Sequence, residues 1–493
     1  MFNLRSRAPE VSPTQSDVLP VTSSASSQTS QSTSHGKRSG NQRLEPTCRR
    51  GPWRWLDRLS CYLPQYSGNY SAVGTLTLEI PIESSREFST PMRLKNNEPA
   101  LRLCNSLMTI FYPTSERSKD GPRLQWITMP QIRGYLKFAR IRSWKLLLAI
   151  PLSLLAIGRT KLPTFGAAPI NQHGKKRQLI LFCHGLTGNR TCYSQLCGQL
   201  AAKGYVVAAI EHRDGSGSHS VVNDRSRLAK SSFEVPCIDM EDLDDKTRPE
   251  TYLIARAYQL ELRTIELLEA SKILGRLSEQ EGWRTIKSAN VRVSGSADWF
   301  GDDGSSWSDK EWCLFASSVD WNQNVIAAGH SFGGATVLAC AMLQERPKNW
   351  IKLIAYDPWI ETLEYWPSSA PKLLEDPELP ILVVNSPGFS YWPSHFNALL
   401  SIIQKSKQAW IITVGGIIHT SFSDLPILLN KVLKLIGKLK LDSQKALELI
   451  IGATIEFVEE QPGELLSPEN SKVIEPKKPE EIEPGDIVVH LKP

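Results

Sequence analysis

The chain has 493 residues, of which 41% are hydrophobic and 22% are charged, with 57 lysines and arginines against 51 aspartates and glutamates. Collagens, coiled coils and wholly disordered chains differ from this composition, so a folded globular protein is expected. The net charge of +6 is small for this length, and no run of more than two or three lysines and arginines is interleaved with aromatic residues, so nucleic acid is not expected as a partner.

The amino-terminal segment, residues 1–50, is rich in Ser, Thr and Gln and poor in large apolar side chains. Such a segment cannot bury enough surface to offset the entropy lost on ordering, so a disordered leader is predicted. It has no apolar core typical of a secretory signal, and the nine cysteines of the chain lack paired spacing. Together these features predict reduced thiols and a cytoplasmic location.

An apolar segment, WKLLLAIPLSLLAI, occupies residues 144–157 and has basic residues on both sides. About 12 apolar residues are too few to cross a hydrocarbon core, which takes about 20. The tryptophan and the basic flanks favour a helix lying in the headgroup region of a membrane, which would make the protein a peripheral membrane protein. A helix packed on a sheet or over the mouth of a pocket fits the same residues.

Short runs of Val, Ile, Leu and Phe alternate with helical patterns through residues 51–455. This alternation is typical of a parallel sheet with crossover helices, so one α/β domain is predicted there. The predicted strands are 178–183, 205–211, 324–329, 352–357, 379–385 and 409–414, and the predicted helices are 191–203, 251–275, 332–345 and 394–406.

Two segments depart from this pattern. Residues 283–321 hold five tryptophans among Gly, Ser and Asp, and are interpreted as a variable insertion that is either a lid or a surface loop. Residues 456–493 carry ten acidic residues, four lysines and six prolines, which predicts a disordered acidic tail.

A G-x-S-x-G pattern runs from Gly329 to Gly333, between an apolar strand and a helix-like run. This is the context of a nucleophile elbow, in which the serine lies on a strained strand-to-helix turn. Glycines two residues to either side are needed because side chains there would collide with neighbouring backbone. Ser331 is therefore the predicted nucleophile, with Gly329 and Gly333 as the elbow glycines.

A serine nucleophile needs a histidine base oriented by a carboxylate, in the chain order Ser, Asp or Glu, His. His395, His419 and His490 follow Ser331 in the sequence. His419 is the predicted base because it follows an apolar strand, at whose carboxyl end the site should form. His395 is interpreted as a packing or pocket residue at the start of a helix, and His490 lies in the predicted tail.

The predicted orienting carboxylate is Asp357, which ends an apolar strand and precedes Pro358. Strand ends of a parallel sheet meet at one edge, so this carboxylate should face the same loops as the serine and the histidine. Asp376, in a proline-rich loop, and Asp424 are the alternatives. Asp424 is interpreted as the cap of a helix that begins near Leu425.

Acyl transfer also requires N–H donors for the oxyanion of the tetrahedral intermediate. Phe332, which follows the nucleophile, is the first predicted donor. Leu186, in the HGLTG segment that follows a predicted strand, is the second. A simple tight turn at His184 and Gly185 is compatible with the same residues.

The remaining histidines form no metal-ligand pattern. His212 and His219 are seven residues apart without a third ligand at a suitable spacing, so neither a metal nor another cofactor is expected. The cluster EHRD at residues 211–214, at a strand end, is interpreted as a hydrogen-bonded loop network that borders the active site.

Further segments extend the pattern along the chain. In collinear order they are FCHGLTGNRTCYSQLCGQLAAKGYVVAAIEHRDGSG (182–217), GHSFGGATV (329–337), IAYDPW (354–359), ILVVNS (381–386) and GGIIHTSFSD (415–424). Together they resemble the platelet-activating factor acetylhydrolase family of α/β-hydrolases, the plasma and intracellular type II phospholipases. The resemblance implies a mostly parallel central sheet with helices on both faces. It also implies calcium-independent hydrolysis of a short or oxidised sn-2 acyl ester of a glycerophospholipid.

By matching motif, the resemblance assigns the family's triad to Ser331, Asp357 and His419 and its oxyanion donors to Leu186 and Phe332. It implies a phospholipid substrate, and with it contact with a lipid surface. Two other classes stay open at this point. One is a general short-chain carboxylesterase or lipase, and the other is a non-catalytic membrane-surface protein on a hydrolase scaffold.

Overall fold

The structure, a computed structural model, describes residues 63–70, 72–87, 91–115, 123–140, 157–224, 231–291, 307–366, 374–435, 437, 439–461, 463, 465–466, 482–491 and 493. The predicted leader lies outside the described residues, and so does the apolar segment 144–157 apart from Ile157. In the described part of the chain, no helix is long and apolar enough to cross a membrane.

The strands are β1 (Ala72–Glu87), β2 (Arg102–Thr114), β3 (Phe165–Gly166), β4 (Arg177–Cys183), β5 (Val206–Glu211), β6 (His219–Asp224), β7 (Ser231–Pro236), β8 (Val319–Asp320), β9 (Val325–His330), β10 (Trp350–Tyr356), β11 (Ile381–Asn385), β12 (Ala409–Val414) and β13 (Ile487–Leu491). The helices are α1 (Met129–Phe138), α2 (Ser194–Lys203), α3 (Tyr252–Gly275), α4 (Gly282–Ala289), α5 (Asp309–Ser317), α6 (Phe332–Ala341), α7 (Pro387–Ser390), α8 (Pro393–Ile403), α9 (Leu425–Leu428), α10 (Asn430–Leu435) and α11 (Ser443–Val458). Short 3₁₀ turns occupy Met240–Asp242, Arg276–Ser278, Ile360–Tyr365 and His419–Phe422.

One large sheet has the strand order β13-β12-β11-β10-β9-β4-β5-β2-β1-β3. Neighbouring strands are parallel from β12 to β5. Strand β2 pairs antiparallel with β5, and β1 pairs antiparallel with β2. The six predicted strands are confirmed as β4, β5 and β9 to β12, and the predicted mostly parallel sheet is confirmed with them.

The sheet is buried on both faces because its strands alternate apolar side chains between two cores. In β4, Leu179 and Leu181 belong to one core and Ile180 and Phe182 to the other. Helices α3 and α6 pack on the first face, and α2 and α11 pack on the second. Strands covered on both sides are typical of α/β proteins, and the predicted helices on both faces are confirmed.

The carboxyl-terminal segment corrects the prediction of a disordered tail over 456–493. Residues Ile487–Leu491 form β13, which pairs antiparallel with β12 at the edge of the sheet. Val488 and Val489 are buried there. The prediction is wrong for these residues because it followed the acidic composition of the whole segment. The short β-branched run within it has strand propensity and buries apolar surface against the sheet.

The described parts of the tryptophan-rich segment 283–321 belong to the core. Trp307, Trp312 and Trp321 are buried in the core on the α3 face of the sheet, and Trp307 contacts Phe315 with ring centroids 5.0 Å apart. These tryptophans therefore stabilise the domain, a role that neither the lid nor the surface-loop interpretation anticipated.

Candidate active site

Ser331 lies at the turn between β9 and α6 with φ 57° and ψ −118°. A positive φ is uncommon for a residue with a side chain and marks a strained turn. A Cβ at Gly329 would lie 2.2 Å from the carbonyl oxygen of Gly333, and a Cβ at Gly333 would lie 2.1 Å from that of Cys183. Both positions therefore require glycine, as the elbow geometry predicts.

Three of the predicted site residues form a continuous hydrogen-bonded chain. The Nε2 atom of His419 lies 3.0 Å from Oγ of Ser331, and its Nδ1 atom lies 3.0 Å from Oδ2 of Asp357. The serine follows β9, the aspartate follows β10, and the histidine follows β12. The parallel sheet brings them together because its carboxyl strand ends share one edge. Their catalytic roles stay predictions.

The carboxylate of Asp357 has no exposed surface and accepts two hydrogen bonds besides its contact with His419. Ser386 donates to it through its backbone N–H and through its hydroxyl, both at 2.6 Å. These two hydrogen bonds fix the orientation of the carboxylate. Sequence reasoning missed Ser386, although its place at the end of the strand beside β10 was a signal that it could reach Asp357.

His419 lies between two aromatic rings. The ring of Phe389 stacks on it with a centroid distance of 4.6 Å and an interplanar angle of 8°, and His330 lies 4.5 Å away on centroids. The pKa of His330 is lowered well below its ordinary value, mainly by burial and to a smaller extent by the neighbouring His419. His330 is therefore neutral at pH 7, and its Nδ1 atom hydrogen-bonds the Tyr193 hydroxyl at 2.8 Å.

The two predicted oxyanion donors border the nucleophile. Phe332 is the first residue of α6, where backbone N–H groups have no partner within the helix. The loop that carries Leu186 passes beside the serine, since a Cβ at Gly185 would lie 3.0 Å from Cβ of Ser331. The N–H of Gly188 donates to the Gly185 carbonyl at 3.0 Å, so this loop is also a tight turn, and the donor role of Leu186 stays a prediction.

The other candidates lie outside this chain of hydrogen bonds. His395 is buried and pairs with Glu361 at 2.7 Å, consistent with its interpretation as a packing or pocket residue. His490 hydrogen-bonds Thr413 from β13 at 2.7 Å. Asp376 pairs with an arginine, Arg346, at 3.0 Å.

Asp424 caps a second helix besides the one predicted. Its carboxylate accepts the backbone N–H groups of Ser194 and Gln195 at the start of α2, and it accepts the indole N–H of Trp126. Asp424 is the N-cap residue of the helix that begins at Leu425, as predicted, but its side chain makes no capping hydrogen bond to that helix and caps α2 instead. Burial raises the pKa of Asp424 to about 7.

The predicted network at residues 211–214 is confirmed, and it is almost completely buried. Its ion pairs are Glu211 with Arg190, Arg213 with Glu79 and Asp214 with Arg263. His212 hydrogen-bonds Glu266 at 2.8 Å, and burial lowers the pKa of this histidine well below its ordinary value. The network borders the loop of Leu186, because the backbone N–H of His212 donates to Nε2 of His184 at 3.1 Å. Sequence reasoning identified the cluster but not its partners, which come from distant elements.

Within the described ranges, one group has the spacing of metal ligands. It consists of His330, Asp357 and His419, whose ligand atoms lie within 4.8 Å of one another. Hydrogen bonds already join Asp357 to His419 and His330 to Tyr193. The close approach of these side chains therefore has an explanation in hydrogen bonding alone.

A two-faced parallel sheet with a serine elbow, and a histidine and a carboxylate at the ends of strands in the same sheet, is the arrangement of the α/β-hydrolases. Residues 60–472 match the family model described as platelet-activating factor acetylhydrolase, isoform II. The chain belongs to this family and is a carboxylic ester hydrolase.

Individual relatives span most of the chain. A Schizosaccharomyces pombe protein named "Putative phospholipase A2" is 26% identical over 81% of this chain and 92% of its own length. The platelet-activating factor acetylhydrolase of Canis lupus familiaris is 25% identical over 73% of this chain and 72% of its own. A solved ferulic acid esterase from Streptomyces cinnamoneus has a TM-score of 0.50 at 17% identity, covering 83% of this chain and 96% of that one. This last likeness supports the α/β-hydrolase fold.

Proposed function

We propose that this protein hydrolyses the short or oxidised sn-2 acyl ester of glycerophospholipids without calcium. In this proposal Ser331 is the nucleophile, His419 is the general base and Asp357 orients and stabilises the imidazole. The observation that carries the proposal is the hydrogen-bonded chain from Oγ of the serine through the imidazole to the carboxylate, with both steps at 3.0 Å. Membership of the family and the printed names of the relatives support the substrate class.

The first half of the reaction forms an acyl-enzyme. As Oγ of Ser331 attacks the ester carbonyl carbon, its proton passes to Nε2 of His419, and the carbonyl oxygen becomes an oxyanion. The N–H groups of Leu186 and Phe332 donate to this oxyanion. Collapse of the tetrahedral intermediate breaks the ester bond, and the imidazolium gives its proton to the leaving oxygen, which becomes the hydroxyl of the departing lysophospholipid.

The second half releases the acid. The neutral His419 takes a proton from a water molecule as that water attacks the acyl carbonyl, and the same N–H donors hold the second oxyanion. The bond to Oγ of Ser331 breaks and the serine regains its proton from the imidazolium. Buried Asp357 stabilises the charged imidazole in both halves without taking its proton.

We include a peripheral membrane association and a cytoplasmic location in the proposal. Phe138, at the end of α1, is 46% exposed, and Arg140 follows it closely. Both precede the apolar segment 144–157 with its basic flanks. Aromatic and basic side chains in this combination favour the interface between lipid headgroups and acyl chains.

The experiment measures hydrolysis of two phosphatidylcholines in calcium-free buffer, one with an sn-2 acetyl group and one with two long acyl chains. Wild type is expected to release acetate selectively, and Ser331→Ala is expected to release none above the uncatalysed rate. Ser406→Ala is the matched control, since Ser406 is equally buried and donates to the Leu379 carbonyl at 2.8 Å.

Three outcomes contradict parts of the proposal. Preferential cleavage of the long-chain lipid would retain the hydrolase and overturn the substrate class, and a soluble short-chain ester as the only good substrate would favour a general carboxylesterase. Undiminished acetate release by Ser331→Ala would overturn the assignment of the nucleophile.

A further inference from the structure

A buried arginine lies behind the two predicted oxyanion donors. Arg263, on α3, has no exposed surface, and its Nη1 atom donates to the carbonyl oxygen of His184 at 2.7 Å. His184 begins the loop that carries Leu186. The guanidinium carbon also lies 4.5 Å from the centre of the Phe332 ring, which is a cation–π distance. One side chain therefore contacts both the loop and the residue that are predicted to supply the donors.

The same guanidinium supports the loop beyond Leu186. Its Nη2 atom donates to Oγ of Ser216 at 2.7 Å. The carbonyl oxygen of Ser216 accepts the N–H of Thr187, also at 2.7 Å. Leu186 thus lies between His184 and Thr187, and the backbones of both are held by hydrogen bonds. Arg263 donates directly to the His184 carbonyl, and it also donates to Ser216, whose carbonyl holds Thr187.

The arginine is fixed in place by a buried carboxylate. Asp214, which has no exposed surface, accepts from Nε of Arg263 at 3.0 Å and from Oγ of Ser216 at 2.6 Å. Breaking a buried ion pair leaves an uncompensated charge, so the guanidinium is held in one orientation. Its planar fork of donors fixes several acceptors at once, which a lysine ammonium cannot do.

We propose that Arg263 is a positioning residue of the oxyanion hole, which fixes the peptide of Leu186 relative to Phe332 and so sets the distance between the two N–H donors. This inference rests on the proposed ester hydrolysis at Ser331. Donors that shift relative to each other stabilise the transition state less, while substrate binding in the ground state is largely retained.

The test compares Arg263→Lys with Arg346→Lys. Arg346 is a matched control because it is also buried, donates to the Trp350 carbonyl at 2.9 Å and pairs with Asp376. It lies before β10, at the amino-terminal edge of the parallel strands, opposite the site. Ser216→Ala is a second variant, which removes only the hydroxyl through which the guanidinium reaches the Thr187 anchor.

Three quantities are measured for each variant: kcat and KM for sn-2 acetyl phosphatidylcholine, the Tm, and the affinity for a trifluoromethyl ketone, whose serine adduct carries an oxyanion. Arg263→Lys is expected to lower kcat by about 10²-fold with KM nearly unchanged, and to weaken the ketone in proportion. Ser216→Ala should act in the same direction by about tenfold. Arg346→Lys should lower the Tm without lowering kcat.

Unchanged kcat and ketone affinity in both site variants would overturn the proposal. An equal loss of kcat in Arg346→Lys would also overturn it, because the effect would then belong to any buried arginine. If wild type turns over no better than Ser331→Ala, the proposed function itself has failed, and the inference falls with it. The wild-type comparison therefore distinguishes the two failures.

Discussion

The environment of Asp357 shows how single residues prepare this site. The carboxylate lies in a buried position with φ 41°, at the strand end where the backbone must turn before Pro358. Its orientation depends on Ser386, which donates twice to it. An aspartate held in this way presents one fixed oxygen to Nδ1 of His419, which selects the tautomer that leaves Nε2 free to accept a proton.

Replacing Ser386 with alanine removes one of these two donors and leaves the backbone N–H in place. Hydrogen bonds to charged groups contribute about 1.5–3 kcal/mol, so kcat for acetyl ester hydrolysis is expected to fall by about tenfold or more. Steady-state kinetics of Ser386→Ala beside the Ser406→Ala control measure this effect. Equal kcat in the two variants would show that the Ser386 hydroxyl does not support Asp357.

At the scale of the elements, hydrogen bonds connect the start of α2 to the segment that follows His419. The residue before α2, Tyr193, offers its helix no side-chain cap, and Asp424 supplies the acceptor from five residues beyond His419. The backbone N–H of Asp424 also donates to the Cys192 carbonyl at 2.9 Å. The cap thus joins the start of α2 to the segment on which the predicted base depends.

This cap predicts a pH dependence of stability. The pKa of Asp424 is raised to about 7 by burial, above the value of about 3.9 in an unfolded chain. The folded state therefore binds the proton more tightly, and the contribution of Asp424 to the free energy of unfolding falls as the pH rises from about 4 to about 7, by at most about 1.4 kcal/mol per pH unit.

Urea unfolding of wild type and Asp424→Asn across this pH range measures the effect. The difference in free energy of unfolding, wild type minus variant, is expected to decrease as the pH rises and to level off above about pH 7. Asp376→Asn serves as the control, because Asp376 is 38% exposed and pairs with Arg346 at the other edge of the sheet. A difference that increases with pH would contradict the raised pKa.

For the whole molecule, the central strands and the serine elbow could be predicted from sequence, because buried parallel strands are short continuous apolar runs and the elbow glycines have a fixed spacing. Strands β1 and β2 were not predicted, although they pair through most of their length. Their polar residues, such as Glu79 and Asn105, are buried, and they form hydrogen bonds with Arg213 and Asn223. Such partners exist only in the folded chain, so local patterns conceal these strands.

The same reason limits what the sequence revealed of the site. Ser331 and His419 follow strands with clear apolar patterns, and chain order together with this position at a strand end ranks them above the other candidates. Arg263 lies in none of the quoted segments, and the segment ILVVNS ends at Ser386 without indicating its role, because the importance of both residues comes from the atoms that the fold places beside them. Strand β13 was not predicted because its five residues lie within a segment rich in acidic residues and prolines.

The most direct test of the central claim is labelling by a fluorophosphonate, which reacts only with a serine activated by its surroundings. Wild type, Ser331→Ala and His419→Ala are labelled under identical conditions, and the modified peptide is identified by mass spectrometry. The account predicts stoichiometric labelling at Ser331 in wild type, none in Ser331→Ala and labelling slowed by at least about 10³-fold in His419→Ala. Label on another serine, or labelling of Ser331 at the same rate without His419, would contradict it.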